Sequence, residues 1–459
     1  MSDQPETDVL IIGGGITGLA AAWTLAEAGK TVTLLEASDR IGGMMQTLRE
    51  GDWQAEIGPN TLLARPALYE TFQKLGLSDS VILANGAQAK RYIAKGGRLH
   101  ALPRGPLGAL ASPLARPALP ALLRDLRAKP STEADESIAG FACRHFGAYV
   151  LRHFVDPFVS GTSGGDPARL SVRAVMPRLV AAETAGSGSV VRGMMAARRA
   201  PPAATMPDTW KRALVSFPQG MQQLPRRLAE KFQAAGGRML TNCAVAHLTH
   251  NGGTWQVVDQ SGQHHSAKHV LLATPAHITA NLIEPHSLAL ADDLRAIPSA
   301  PMVALSLGFA AKDVGHTLDG FGGLIPRSEG RRTLGVLFAS SQFPGRAPEG
   351  HHLLSIFLGG RQDDAIMALD DDTLVATALQ DLRDMLDLRG APQWVKIQRM
   401  PHAIPQYEVG HLALLQRIDS HMAGLARLSL AGSWRGGISV GDCLASGQAA
   451  AQAILDTPA

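Results

Sequence analysis

The chain has 459 residues, with Lys+Arg 43 against Asp+Glu 40, and charged residues make up only 18%. That share lies below the usual ~25%, and together with 45% hydrophobic residues it excludes a disordered chain. Cys143, Cys243 and Cys443 are too few and too dispersed for a disulfide framework or a Cys-rich zinc site, so a reducing compartment is expected. A chain this long predicts roughly two to four domains of about 100–200 residues. A net charge of +3 does not point to nucleic acid. Met1 to Thr7 is polar and acidic, and no apolar run reaches ~18 residues. Neither a secretory signal nor a membrane span is expected, and the expected location is cytoplasmic.

The first informative segment is Asp8 to Glu36. Val9–Ile12 is a short apolar run that suits a buried parallel strand. Gly13, Gly15 and Gly18 form G-x-G-x-x-G, with Gly14, Ile16 and Thr17 between them. Leu19 to Ala28 predicts a helix ended by Gly29, and Val32–Leu35 a second strand closed by Glu36. The spacing has a mechanism. Gly13 permits the tight turn, Gly15 leaves room for a pyrophosphate, and Gly18 lets helix and strand approach. The helix N-terminus offers unpaired N–H groups and a positive dipole end. Glu36 can bond ribose hydroxyls and repels a 2′-phosphate. Strand, helix, second strand and acid all agree, so a dinucleotide site is expected.

Three further segments favour FAD over NAD. Arg40-Ile41-Gly42-Gly43 follows the acidic strand end, with Ala37 before it and Met44 after it. Glu56-Ile57-Gly58-Pro59-Asn60 comes next. Near the other end, Leu428 to Gly447 reads as strand, glycine loop and helix, with Ile438, Ser439 and Val440 at the turn. The Arg-x-Gly-Gly segment resembles that of flavoproteins related to amine oxidases and phytoene desaturases, and Glu56–Asn60 resembles the segment that reaches the flavin ring in that group.

Within that group, the middle of the chain resembles the protoporphyrinogen/coproporphyrinogen oxidase family. The matching segments are Phe217–Met221, Val270–Pro275, Phe321–Arg327, Leu334–Pro348, Leu353–Gly360 and Pro401–Tyr407, in order. The resemblance runs from about residue 8 to residue 453 and is weakest at 185–215. It implies fold class α/β, with a Rossmann-like FAD-binding domain, a β-sheet-based substrate domain and a helical lobe. This is the amine-oxidase/p-hydroxybenzoate-hydroxylase-like arrangement. The expected FAD domain is discontinuous, at 1–90, 216–285 and 416–459. The substrate domain is expected at 91–103, 179–215 and 286–415, and the lobe at 104–178.

The implied reaction removes six electrons from a porphyrinogen in three two-electron steps to FAD. Dioxygen then takes the electrons and gives hydrogen peroxide. The implied product is protoporphyrin IX, with coproporphyrinogen III as the alternative substrate. The implied FAD contacts are Gly13, Gly14, Gly15, Ile16, Thr17, Gly18, Glu36, Ala37, Arg40, Gly43, Met44, Ile57, Gly58, Pro59, Asn60, Ile438, Ser439 and Val440, with Val245 at adenine. The resemblance gives Arg91 a substrate propionate, a pairing that suits the two parallel donors of a guanidinium. It sets Phe321, Gly322 and Leu324 beside the macrocycle and the Gly161 backbone near the pyrroles. Phe158, Phe357 and Ile404 fall at other pocket positions, although each also fits an ordinary core. After Gly161 this chain has Thr-Ser-Gly-Gly where relatives often carry a bulkier Tyr-Ala pair, so a looser pocket wall is expected.

No acid/base array and no metal cluster is required, and none stands out. An amine oxidase or a carotenoid desaturase remains open, with Tyr407 and Trp434 as candidate cage residues, as does a non-catalytic flavin or porphyrin binder. Residues 90–130 carry nine basic side chains against Asp125 alone, with leucines interleaved. Weak peripheral contact with the inner face of the cell membrane fits that pattern, and so does a basic substrate entrance. Aromatic interleaving is poor, so nucleic acid is not expected. An oligomer and a downstream ferrochelatase are open as protein partners. Residues 238–273 predict hairpin strands, 300–360 sheet strands, 373–389 an amphipathic helix and 196–208 a linker.

Overall fold

A computed structural model describes residues 7–84, 90–131, 133–197, 206–211 and 213–457. Most of the expected linker, residues 198–205, lies outside the described residues.

Two seven-stranded sheets organise the chain. In the first, Thr7–Ile12 lies between Val32–Leu35 and His264–Leu272, parallel to both. Arg238–Leu240 extends one edge and Leu428–Leu430 pairs beyond His264–Leu272, again in parallel. Thr254–Asp259 and Val245–Asn251 complete it as antiparallel hairpin strands. The apolar run at 9–12 is buried on both faces, as a central parallel strand requires. On one side, helices Ile16–Glu27, Gln223–Ala234 and Val440–Leu455 share a core with Leu19, Leu25, Leu228 and Leu444. Each fully buried Leu contributes about 1.5–3 kcal/mol of transfer free energy. The first helix begins three residues before its expected start. Gly15 caps it in extended conformation, φ −70° and ψ 177°, so the helix opens directly from the glycine loop.

The second sheet runs in the order Trp394–Pro405, Ser299–Ala310, His351–Gly359, Thr333–Leu337, Gly320–Leu324, Lys90–Lys95 and Arg98–Ala101. Only the pair Gly320–Leu324 and Lys90–Lys95 is parallel. Alternation assigns its two faces. Val303, Leu305, Leu307 and Phe309 face helix Asp371–Leu386, meeting Leu374, Ala378, Leu382 and Leu386. Asp370 caps that helix by accepting from the Thr373 N–H at 2.7 Å. The opposite face is shared. At one end Trp53, from the hairpin Thr47–Glu50/Trp53–Glu56, stacks on Trp394 at 5.4 Å. At the other end Met302, Ala304, Leu334 and Met400 form a small apolar cluster with Phe357 and Ile404.

Short helices between 105 and 197 make the lobe. Its core joins Ile138, Phe141, Val159 and Leu170 to Ala182 and Val190. Helices Pro177–Ala185 and Val190–Ala197, expected with the substrate part, therefore pack with the lobe instead. The anchor of Val190–Ala197 is Asp125, which is fully buried. It accepts from Ser189 Oγ (2.6 Å) and from the Val190 and Val191 N–H groups, and it pairs with His145 Nδ1 (2.7 Å). The one acid in the basic stretch is thus withdrawn from the surface.

Candidate active site

The glycine loop leaves its first-turn amides without intrahelical partners. Packing defines each glycine. A Cβ at Gly13 would stand 2.8 Å from the Ala273 carbonyl oxygen, and one at Gly18 would stand 1.9 Å from the Gly13 oxygen. A Cβ at Gly15 would meet nothing within 4 Å. The loop is closed against the protein at Gly13 and Gly18 and open at Gly15. Ile16 and Thr17 are buried beneath it.

Glu36 accepts from the Gly14 N–H at 2.7 Å and from the Ser38 N–H at 2.8 Å. Its carboxylate therefore sits beside the loop, where it also bonds Ser38 Oγ. Ala37 is exposed next to it. The Arg-x-Gly-Gly segment lies against the same loop. The Gly42 N–H donates to the Gly14 oxygen at 2.8 Å, and Gly15 and Gly42 form a parallel bridge. Arg40 donates to the Gly43 carbonyl at 2.9 Å, which fixes that turn. Met44 is 45% exposed. A Cβ at Gly58 would stand 2.0 Å from the Met44 oxygen, so 57–60 passes directly over 43–44. Asn60 Nδ2 donates back to the Gly58 carbonyl. Val245 begins its strand two residues after Cys243, whose N–H donates to the Glu36 carbonyl at 2.9 Å.

The C-terminal helix joins this surface. A Cβ at Gly447 would stand 2.1 Å from the Thr17 carbonyl oxygen, so the two glycine-loop helices touch backbone to backbone. Ser439 caps Val440–Leu455 by accepting from the Asp442 N–H at 3.1 Å, with Ile438 just before it. The loop before that cap is braced from outside. Tyr407 donates to the Ser433 carbonyl and accepts from the Gly437 N–H at 2.8 Å. The Tyr407 ring stacks on His411 at 4.2 Å and 8°. Burial holds His411 down to about 4. Trp434, only 1% exposed, donates to the Thr274 carbonyl at 3.2 Å. Both aromatic residues considered for an amine cage are thus bonded into the scaffold, Tyr407 by its hydroxyl and Trp434 by its indole.

The resemblance-implied substrate residues converge on the second sheet. Register places Gly322 opposite Arg91. The Arg91 guanidinium lies 5.9 Å from the Phe321 ring centroid, with no carboxylate partner among the described residues. Its neighbour Lys90 pairs with Asp319 instead. A Cβ at Gly161 would stand 2.5 Å from Leu324 Cδ2, so helix Asp156–Ser163 lies directly on this strand. That helix continues a π-helical turn, Leu151–Val155, a feature frequent at functional sites. Phe158 projects from it, 50% exposed. Phe357 pairs with Ala304 and Ile404 with Ala300, on the apolar face described above. The expected looser wall is not found after Gly161. Ser163, Gly164 and Gly165 are buried, and a Cβ at Gly164 would stand 2.7 Å from Met302 Sδ. The glycines let the helix end press onto the sheet.

Sequence reasoning missed Met302, Ala304 and Met400 on that face, and the Tyr407–His411 brace. Period-two alternation through Met302-Val303-Ala304 carried a signal for the former. The brace joins Tyr407 to the 433–437 loop by hydrogen bonds and carried none.

The open Gly15, the crowded Gly13 and Gly18, and the second helix N-terminus fit an extended dinucleotide, with room for a diphosphate at Gly15. When bound, FAD supplies a two-electron acceptor. The comparisons agree. The family model for flavin-containing amine oxidoreductase matches residues 16–455. Protoporphyrinogen oxidase 1, chloroplastic, of Arabidopsis thaliana is 30% identical, over 95% of this chain and 86% of that one. The coproporphyrinogen III oxidase of Bacillus subtilis is 26% identical, over 99% of each. A crystal structure from Exiguobacterium sp. 255-15 superposes with TM-score 0.83 at 24% identity, covering 99% of this chain and 100% of that one. The chain is an FAD-dependent oxidoreductase and belongs to the flavin-containing amine oxidoreductase family, with protoporphyrinogen and coproporphyrinogen oxidases among its relatives.

Proposed function

We propose that this enzyme oxidises protoporphyrinogen IX to protoporphyrin IX in porphyrin biosynthesis. Three two-electron steps pass six electrons to FAD, and three dioxygen molecules leave as three hydrogen peroxide. One observation carries the reading. Arg91, Phe321, Gly322, Leu324 and Gly161 come from three separate segments and meet at one place on the sheet, beside the apolar cluster of Met302, Ala304, Phe357 and Met400. A flat, apolar macrocycle with anionic propionates needs that combination of surface and cation. Arg91 holds a propionate, Phe321 and Leu324 lie along the ring, and the Gly161 backbone approaches the pyrroles. Phe158, Phe357 and Ile404 close the sides and exclude water. The bonded positions of Tyr407 and Trp434 speak against an amine cage.

In this reading the FAD contacts are those set out above, from Gly13–Gly18 and Glu36 to Ile438–Val440. The same reading allows weak membrane contact by the lobe. Leu107 is 83% exposed, and Leu110, Leu122 and Leu123 are also exposed. Among the described residues no helix is long and apolar enough to cross a membrane.

The test offers protoporphyrinogen IX and coproporphyrinogen III separately, in air, to flavin-loaded protein. Porphyrin fluorescence is compared with enzyme-free autoxidation. Faster protoporphyrin formation is expected. Preference for coproporphyrinogen III moves the substrate assignment, and acceleration of neither overturns it.

A further inference from the structure

A cluster of ligating side chains lies beside the strand end that carries Glu36. Cys243 precedes strand Val245–Asn251, Asp259 ends Thr254–Asp259, and His265 lies on His264–Leu272. They are separated in sequence, and no metal-ligand spacing announces them. The hairpin brings all three together, each buried, at 7%, 4% and 4% exposure. Cys243 Sγ lies 3.2 Å from Asp259 Oδ2 and 3.8 Å from His265 Nε2. Asp259 Oδ2 and His265 Nε2 are 3.3 Å apart.

The 3.3 Å edge between Asp259 and His265 matches a coordination triangle, and the two thiol edges, 3.2 and 3.8 Å, lie on either side of one. A tetrahedral zinc with bonds of ~2.3 Å to sulfur and ~2.0–2.1 Å to nitrogen and oxygen separates its ligand atoms by roughly 3.3–3.6 Å. The carboxylate is also oriented for the task. Asp259 Oδ1 accepts from the Ser261 N–H (2.9 Å), Ser261 Oγ (2.6 Å) and the Gln263 N–H (3.0 Å). With Oδ1 held by the turn, Oδ2 points to the thiol and the imidazole. Such outer bonds fix ligand geometry in metal sites.

Competing uses fit less well. A nucleophilic or redox role needs a thiolate. Cys243 Sγ is instead buried and donates its proton to Asp259 Oδ2. A cation brings its own charge and drives that proton to solvent as it binds. Thiolate and imidazole suit zinc, whereas calcium and magnesium take oxygen ligands.

We propose that Cys243 Sγ, Asp259 Oδ2 and His265 Nε2 bind one zinc-class divalent cation, with solvent as the fourth ligand. The site braces the strand end that carries Glu36, through the 2.9 Å bond from the Cys243 N–H to the Glu36 carbonyl. It does not depend on the porphyrinogen reading.

The experiment loads the full flavin-bound chain with zinc, dialyses it, and measures metal content and X-ray absorption at the zinc edge. One zinc per chain is expected, with a single sulfur at ~2.3 Å. C143S/C443S, which keeps Cys243 as its only cysteine, should give the same spectrum. C243S should lose the sulfur contribution, and H265A should weaken zinc retention by about 10-fold or more. Less than one retained zinc, a shell of nitrogen and oxygen alone, or a sulfur signal unchanged in C243S overturns the proposal. Should C243S fail to fold, the C143S/C443S spectrum decides, because its sulfur can come from no other thiol.

Discussion

The nucleotide loop and the substrate face both depend on glycine, and they use it in opposite ways. At Gly15 an added Cβ meets nothing within 4 Å, so the backbone holds space open. At Gly161 and Gly164 it meets Leu324 Cδ2 at 2.5 Å and Met302 Sδ at 2.7 Å, so the missing side chain lets two elements close together. The glycine loop is made by backbone within one short stretch, Gly13 to Glu36. A pocket made by side chains draws on segments hundreds of residues apart.

The largest effects test the first half of that contrast. Gly15→Val should fold with near-native thermal stability and retain almost no FAD, because its side chain meets the diphosphate and not the protein. Gly18→Val, whose Cβ would stand 1.9 Å from the Gly13 oxygen, should instead lose stability and soluble yield. Flavin content and melting temperature of the two purified variants separate these outcomes. Equal loss of stability in both would break the comparison.

Gly161→Val probes the other half. It should keep FAD yet force Leu324 aside, lowering kcat/KM for the porphyrinogen by about 100-fold, the scale of an ångström-sized misplacement. Unchanged kinetics would remove this helix from the pocket wall. Arg91→Ala should raise KM by about 10-fold or more, the worth of a charge-assisted hydrogen bond, while sparing kcat. A fall in kcat at constant KM would contradict the propionate assignment.

Smaller effects belong to the brace between the two regions. Tyr407→Phe removes the bonds to Ser433 and Gly437 and should cost about 1–3 kcal/mol, measured by denaturant unfolding. His411 adds a pH dependence. Its folded state titrates near 4, below the ordinary 6.5, chiefly through burial. The unfolded chain therefore binds the proton first as pH falls. The stabilising contribution is present above about 6.5 and is lost as pH falls towards about 4. The melting temperature of His411→Phe should fall less steeply over that window, and an identical slope would exclude His411 as a contributor.

This contrast also explains what was legible in the sequence. Gly13 to Glu36 encodes strand, turn, helix and acid in local order, and their spacing alone pointed to a dinucleotide. Ile438–Val440 was legible because a glycine loop again precedes a helix. Arg91, Gly161 and Phe321 were reachable only through family resemblance, since nothing local says that Gly322 pairs with Arg91. Met302 and Met400 were not singled out, because the pocket face and the opposite core face differ only in what covers them. Cys243, Asp259 and His265 were not read together, because the hairpin register that unites them has no motif. Residues 179–197, expected with the substrate part, pack with the lobe core, and Asp125 holds the start of Val190–Ala197 there by bonds that no pattern records.

The central claim is that the apolar face beside Arg91 delivers a porphyrinogen to the flavin. Anaerobic titration of the oxidised holoenzyme with protoporphyrinogen IX tests it most directly. The account predicts bleaching of the flavin band, approaching three flavins reduced per macrocycle oxidised, with slower onset in Arg91→Ala at limiting substrate. A flavin that stays oxidised with porphyrinogen, yet bleaches when a primary amine is added, would contradict it.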